Sequence, residues 1–329
     1  MNITGAILST SKYPSKVHLP QVNPGVSTVL EFLIQKFPAI DETLWIKRVA
    51  EGKVHFRDSR DSKDSKDSKD SKNESDHSTH NLITAETPFQ PQRCVCYYRE
   101  VETEPTIPFE EEILFRDEHI LLVHKPHFLP MTPGGIFVNE CLQNRLRQKT
   151  GNDDLQALHR LDRGTAGLAL FSINPETRRH YHELFANREI QKTYQAIAKL
   201  PTDDSINRDN EICGQEWQVE NQLIRSDPGF LMKVGPGPVN ARSTIRCVAQ
   251  TEEKALFHLF PITGKTHQLR IHMMVLGFPI LHDNYYPTLQ PKAADDFSRP
   301  LQLLATALNF VDPLTRTTRT FRSEKSLEW

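Results

Sequence analysis

The stretch Leu158-His159-Arg160-Leu161-Asp162-Arg163-Gly164-Thr165-Ala166-Gly167-Leu168-Ala169-Leu170-Phe171 decides how the rest of this chain is read. One acid, Asp162, stands between two arginines and just ahead of a turn that carries two glycines. The turn leads straight into an apolar strand expected over Leu168–Ile173. With Leu158–Asp162 extended, the two-residue alternation of a strand puts Arg160 and Asp162 on one face and Leu161 on the other. Gly164 and Gly167 reach backbone angles closed to other residues, so the chain can bend sharply just past the acid. A charged strand end, its acid and arginines paired in solvent, would show the same spacing. The companions of Asp162 elsewhere in the chain therefore decide its meaning.

The 329 residues leave room for one large α/β domain and a smaller one. Apolar and charged fractions are those of an ordinary globular protein. No apolar run approaches the roughly 20 residues that span a bilayer, and the start, MNITGAILSTSKYPSK, does not read as a secretory signal. Five cysteines, an odd number with no CxxC pair, argue against a disulfide framework and against a structural zinc site. The reducing interior of a cell, the cytoplasm, is the expected compartment. A net charge of −2 does not announce a nucleic-acid binder, but its distribution is uneven. Glu100–Glu118 holds eight acids against one base, whereas Cys141–Leu200 holds ten Lys/Arg against six Asp/Glu. A basic excess around Asp162 is compatible with a phosphate-bearing ligand; a helix with solvated charges would give the same count.

Toward the N-terminus, Val26–Val54 reads as a small helical unit. Val29, Phe32, Leu33 and Phe37 recur at helical spacing, and a second amphipathic stretch carries Leu44, Trp45, Arg48 and Val49. A strand beginning Val54-His55-Phe56 follows Gly52. Asp58–His80 has no apolar side chain, so nothing offsets the entropy of ordering it, and a flexible insertion at a hairpin tip is expected. Order returns with the strand Arg93–Tyr98, where Cys94 and Cys96 share a face as packing residues. Glu100–Pro108, acidic with two prolines, looks like a linker.

Beyond it, Ile113–Phe115 and Ile120–Val123 read as a hairpin, and Val138–Lys149 as a helix with Cys141, Leu142 and Leu146 inward. Asn174-Pro175-Glu176 is a strong helix start with Asn174 as N-cap. That helix carries Tyr181, Leu184 and Phe185 inward. In the strand Lys192–Ala198, Tyr194, Ala196 and Ala198 share a face, and the alanines leave space beside the ring. Pro201–Ala241 reads as polar and irregular. Strands resume at Ser243–Val248 and Ala255–Phe260. Thr263–Arg270 then leads into a helix that Thr266 can cap, with His267, Arg270 and Met274 on one side and Gly277-Phe278-Pro279 at its end. Leu301–Asn309 and Thr317–Arg322 are the last strands.

At HRLDRGTAGL the sequence resembles the RluA-type pseudouridine synthases, and three further stretches match in order. DEHILLVHKPHFLPMTPGG resembles the family's opening hairpin, KTYQAIAKL its tyrosine strand, and TGKTHQLRIHMMVLGFPILHD its arginine motif and helix. The resemblance covers Phe109–Trp329. It implies an α+β fold with a mixed, mainly antiparallel sheet core and flanking helices. It also implies a preceding small α/β RNA-binding-like module over residues 1–100, the insertion at 58–80, a linker at 101–108 and the catalytic domain over 109–329. Ala166 stands where the family usually has serine, Lys265 where arginine is common, and Phe278 and Leu304 where histidine is common. These departures leave the acid, the tyrosine and the arginine untouched.

The family's reaction detaches uracil from its ribose nitrogen link, turns it and rejoins it through carbon. Such an isomerisation needs no hydride carrier, nucleotide triphosphate or metal, and the chain has no dinucleotide fingerprint, P-loop or zinc-ligand spacing. An aspartate carboxyl, which ordinarily titrates at about 3.9, is ionised at neutral pH without a partner base. It can attack the anomeric carbon, as in retaining glycosidases, or take a proton from the adjacent sugar carbon; the residues leave both open. The resemblance gives Asp162 the catalytic role, Arg270 the role of pairing with it, and Tyr194 that of stacking on the target base. It gives Arg160 the position vacated in the RNA by the flipped nucleotide. Lys125 and Lys265 are expected phosphate contacts, and His159, His267 and Leu269 further substrate-binding positions. The implied partner is structured RNA, ribosomal or transfer, acted on by a monomer without cofactor or membrane. An inactive homologue serving as an RNA-binding or ribosome-assembly factor is the alternative. A hydrolase releasing base or sugar is a third reading, weakened by the lack of a second carboxylate among the motifs.

Overall fold

A computed structural model describes residues 9–57, 81–201, 211–327 and 329. The expected flexible insertion over Asp58–His80 lies outside them. The chain forms two compact units, one of Met1–Glu104 with Gly135–Asn139, the other of Pro105–Gly134 with Glu140–Trp329.

In the first unit, α1 (Val29–Lys36) and α2 (Glu42–Ala50) accompany an antiparallel sheet of β2 (Ser15–His18), β4 (Cys94–Tyr97) and β3 (Val54–Phe56), in that order. Helix α1 starts at a capping box. Thr28 accepts from the amide of Glu31, and the Glu31 carboxylate accepts from the amide of Thr28. Trp45, Leu33, Val29, Val54 and Val95, all fully buried, centre its core. Glu100–Val101 is no free linker: it is strand β5, paired with β1 (Ser9–Thr10), and the Glu100 carboxylate is buried against Arg48 and Lys53. Two ion pairs anchor an acid that composition alone assigned to a tether.

The second unit is built on one 11-stranded sheet. Its order is β12 (Met232–Gly235), β11 (Glu216–Arg225), β13 (Ala241–Gln250), β14 (Lys254–Pro261), β10 (Gln191–Lys199), β15 (Leu303–Val311), β9 (Ala166–Ser172), β7 (Ile120–Lys125) and β6 (Glu112–Arg116). Short β8 (Gln156–Ala157) joins β9, and β16 (Thr318–Arg322) joins β15. Every pairing is antiparallel except β15 with β9, so the mixed, mainly antiparallel α+β expectation holds. Helices α3 (Leu142–Thr150), α4 (Arg178–Ala186) and α5 (Gln268–Val275) complete it.

Several local expectations change. Pro201–Ala241 supplies the ten-residue β11 and the short β12. The alternation of β11 is broken by Asn221 on the face of Val219 and Leu223 and by Ile224 on the polar face, and only Val219 and Leu223 are buried. Helix α4 starts at Arg178, because Asn174 closes a tight turn onto the amide of Glu176 instead of capping. Helix α5 is capped by neither Thr266 nor any other side chain; its N-cap is His267 in the left-handed region at φ 55°. Leu158–Thr165 is a loop between β8 and β9, not a strand, so the alternation that set Arg160 beside Asp162 does not apply. Gly167, by contrast, is required. It sits at φ 112°, and a Cβ there would lie 2.2 Å from the carbonyl oxygen of Ala305 across the parallel pair.

Candidate active site

The loop ahead of β9, strand β10 and the N-terminal turn of α5 meet at a cleft of about 630 Å³. Three distant stretches of sequence thus deliver Asp162, Tyr194 and Arg270 to one place. Arg160, Arg188, Lys192, Lys265 and Arg270 line the cleft, and among the described residues Asp162 is its sole acid.

Asp162 holds a partly exposed carboxylate, 27% accessible, whose Oδ2 accepts from Nη1 of Arg270 at 3.3 Å. The stronger hold on Arg270 comes from elsewhere. Its Nε and Nη2 donate to the two oxygens of Asp283 at 2.7 and 2.6 Å, a bidentate fork. Asp283, 1% exposed, also accepts from the amides of Tyr285 and Tyr286. The guanidinium lies 4.6 Å from the Tyr285 ring and 5.3 Å from that of Tyr286. Burial works against the charge on Arg270, but the bonds and charge of Asp283, and then of Asp162, outweigh it and raise the pKa. The Arg–carboxylate fork therefore exists, with Asp283 as its acid, and Nη1 is the nitrogen left for Asp162.

Tyr194 is 9% exposed at the cleft floor. Burial, and then the charge of Asp162, push its phenol well above the usual range, so it stays neutral. His267 shares 2.9 Å with the Tyr286 hydroxyl through Nδ1. Because that hydroxyl donates to the carbonyl of Met232, Nδ1 is the donor and Nε2 is left as an acceptor. Burial lowers the His267 pKa, with Asp162 opposing. Leu269 is a buried apolar part of the lining, and Lys265 is exposed on it. Arg160 is exposed there too.

Two expected substrate contacts are internal struts. Lys125 is fully buried, and its Nζ donates to the carbonyls of Pro126, Leu129 and Arg163 at 2.8, 2.8 and 3.1 Å. Burial works to bring it down to about 7 while the charge of Asp162 opposes; three carbonyl acceptors call for the full ammonium. No donor remains for a phosphate. His159 lines the cleft, but its Nε2 accepts from the Leu170 amide at 3.0 Å and its ring stacks on Phe185 at 4.7 Å. Burial, then Lys192, push it down to about 3.

Sequence patterns passed over Asp283, Lys192 and Asp295. Asp283 closes the quoted arginine motif, where its acid could have been weighed as a partner. Asp295, from an irregular segment, takes both Nη atoms of Arg163, at 2.8 and 2.5 Å, and no pattern pointed to it. Three of the four departures from the family pattern, Ala166, Leu304 and Phe278, are packing changes, and the fourth, Lys265, is exposed on the cleft. Ala166 and Leu304 are register partners across β9 and β15 in one apolar cluster. Phe278 packs on Trp217 and Phe257.

Residues 119–274 match the RNA pseudouridylate synthase family. The dual-specificity RNA pseudouridine synthase RluA of Vibrio parahaemolyticus is 33% identical over 217 residues, 64% of this chain and 80% of that protein. Its namesake in Haemophilus influenzae is 30% identical, over 68% of this chain and 97% of that one. Human RNA pseudouridylate synthase domain containing 1 shares the fold, with a TM-score of 0.52 at 19% identity over 68% of this chain and 86% of that chain. The fold is therefore that of the RNA pseudouridine synthases. Within that class the chain belongs to the RluA-type family. It is an isomerase that converts uridine in RNA to pseudouridine. Among the described residues no helix is long and apolar enough to cross a membrane.

Proposed function

We propose that Asp162 is the acid that acts on the ribose of a uridine turned out of ribosomal or transfer RNA. Tyr194 lies beneath the base, and Arg270 orients the acid. The observation that carries this reading is the placement of one carboxylate, reachable from solvent, as the sole acid among the described residues of a cleft that five Lys and Arg line. RNA brings its phosphates to the basic lining, while the carboxylate meets the uncharged sugar. Turning a nucleotide out of a fold costs a few kcal/mol, and stacking on a flat aromatic floor returns roughly 1–3 kcal/mol.

In the reaction the N1–C1′ bond breaks, the C5–C1′ bond forms, C5 gives up its proton to solvent, and N1 takes one up. Asp283 holds Arg270 rigid, so the guanidinium presents Nη1 to Asp162 without searching rotamers. Arg160 is the residue that takes the vacated place in the RNA, and Lys265 contacts the backbone. His267 offers Nε2 to the uracil edge beside the apolar Leu269. The unit up to Glu104 acts as an RNA-binding module ahead of the catalytic unit. The enzyme works as a monomer in the cytoplasm, a compartment consistent with five free cysteines. The dual-specificity names of the Vibrio and Haemophilus relatives support more than one RNA target.

Transcripts of the host's transfer and ribosomal RNAs carrying tritium at uridine C5 test this. The wild-type chain releases tritium, and Asp162→Asn binds the same transcript without releasing it. Turnover by Asp162→Asn would sink the assignment, and an inert wild-type chain that still binds would restore the binding-only alternative.

A further inference from the structure

We infer that Lys192 is a binding residue for a backbone phosphate next to the target uridine, received in the cleft beside Tyr194. This rests on the pseudouridine synthase reading of the same site. Lys192 and Tyr194 are two apart on β10, so both side chains leave the same face of the strand. Both line the cleft.

The other cations in and beneath the cleft each have an evident partner or solvent. Arg270 has Asp283 and Asp162, Lys125 has three carbonyls, and Arg160, Arg188 and Lys265 are exposed. Lys192 has neither. It is only partly exposed, no described carboxylate, carbonyl or hydroxyl accepts from its Nζ, and burial pulls its pKa down with no nearby acid acting against it. A cation held in that state is unfavourable for the fold, and a fold keeps such a cost where function needs it. Its Nζ lies 3.7 Å from the position a Cβ would take on Gly264, in the loop leading to α5. The ammonium therefore spans the cleft wall, next to backbone that carries no side chain there.

The ligand that completes this site is an anion placed close to a base stacked on Tyr194. In RNA the only such group is a phosphodiester. The contact fixes where the flanking backbone enters, so that the uridine C1′ faces Asp162, and it contributes to affinity and register without touching the reacting bonds.

The test uses full-length protein and the tritiated transfer and ribosomal RNA transcripts. Lys192→Met should weaken RNA binding roughly tenfold, as expected for one charge-assisted contact, and should raise KM while kcat at saturating RNA changes little. The slope of log Kd against log salt should flatten by about 0.7–0.9, the loss of one phosphate neutralised. Lys192→Arg should keep the slope. The melting temperature of Lys192→Met should equal or exceed that of the wild type, because an uncompensated charge has been removed. A lower melting temperature with an unchanged salt slope would make Lys192 a structural residue and overturn the proposal. Should the methionine variant not fold, that outcome too counts against it, and the slope of Lys192→Gln supplies the binding measurement. A wild-type chain that releases no tritium, yet shows the Lys192-dependent slope, would remove the enzyme reading and leave the phosphate site standing.

Discussion

Asp283 holds Arg270 by two short parallel hydrogen bonds, 2.7 and 2.6 Å, while Asp162 receives one at 3.3 Å from the same guanidinium. The buried acid is the fixed end of the pair, and the partly exposed one is held more loosely at the cleft.

Loss of the fixed end should therefore be felt twice. Asp283→Ala strands a buried guanidinium, and breaking a buried pair by removing one partner costs about 3–5 kcal/mol. A thermal melt reads that loss. Asp283→Asn keeps the volume but not the charge, and should lower kcat by about 100-fold, the scale of a misplaced catalytic group, with RNA affinity little changed. Unchanged kcat in a folded Asp283→Asn would mean that Arg270 does not need its clamp.

Gly167→Ala should destabilise by at least about 3 kcal/mol. The added methyl meets the Ala305 backbone at 2.2 Å and the residue is held at φ 112°. Soluble protein with a wild-type melting curve would contradict the β9–β15 register.

Tyr194 is expected to act through its ring when RNA binds. Tyr194→Phe should retain affinity within about threefold, and Tyr194→Ala should lose roughly 10–100-fold, the worth of one stacked base. Equal affinities for the two variants would remove the stacking role.

Stability should fall in mild acid. His159, His124 and His272 are pushed down by burial to about 3, 4 and 4. The unfolded chain takes up protons near pH 6.5 while the folded chain does not, so the stability each contributes is complete above that pH and declines as pH falls toward 3–4. By pH 5 each histidine accounts for about 1–2 kcal/mol. Urea melts at pH 7 and pH 5 should differ accordingly, and His159→Gln should narrow the difference. Identical stability at the two pH values would contradict the burial of these rings.

Much of the catalytic unit was legible from pattern. Strands β13 and β14 carry a two-residue alternation because one side of each packs into the core, while β7 and β9 stand out as short apolar runs buried on both faces. Residues Glu216–Arg225 were missed because that strand buries few of its side chains, so it alternates too weakly to stand out. The capping assignments at Asn174 and Thr266 failed for a different reason. Neighbouring turns took up those residues, and a left-handed His267 starts α5.

The sequence by itself singled out Asp162, Tyr194 and Arg270 as candidates, through stretches that resemble a family's ordered motifs, and all three line one cleft. The fold class came from the resemblance of its ordered motifs to the pseudouridine synthases, and the mixed, mainly antiparallel sheet agrees with it. Only the tertiary structure decided which acid holds Arg270, that Lys125 and His159 are struts, and that Lys192 stands in the cleft without a counter-charge. Those are properties of distance and burial. They arise where residues 162, 192, 270 and 283 converge through β-strand pairings between distant segments, and no local pattern along the chain encodes which side chain reaches which.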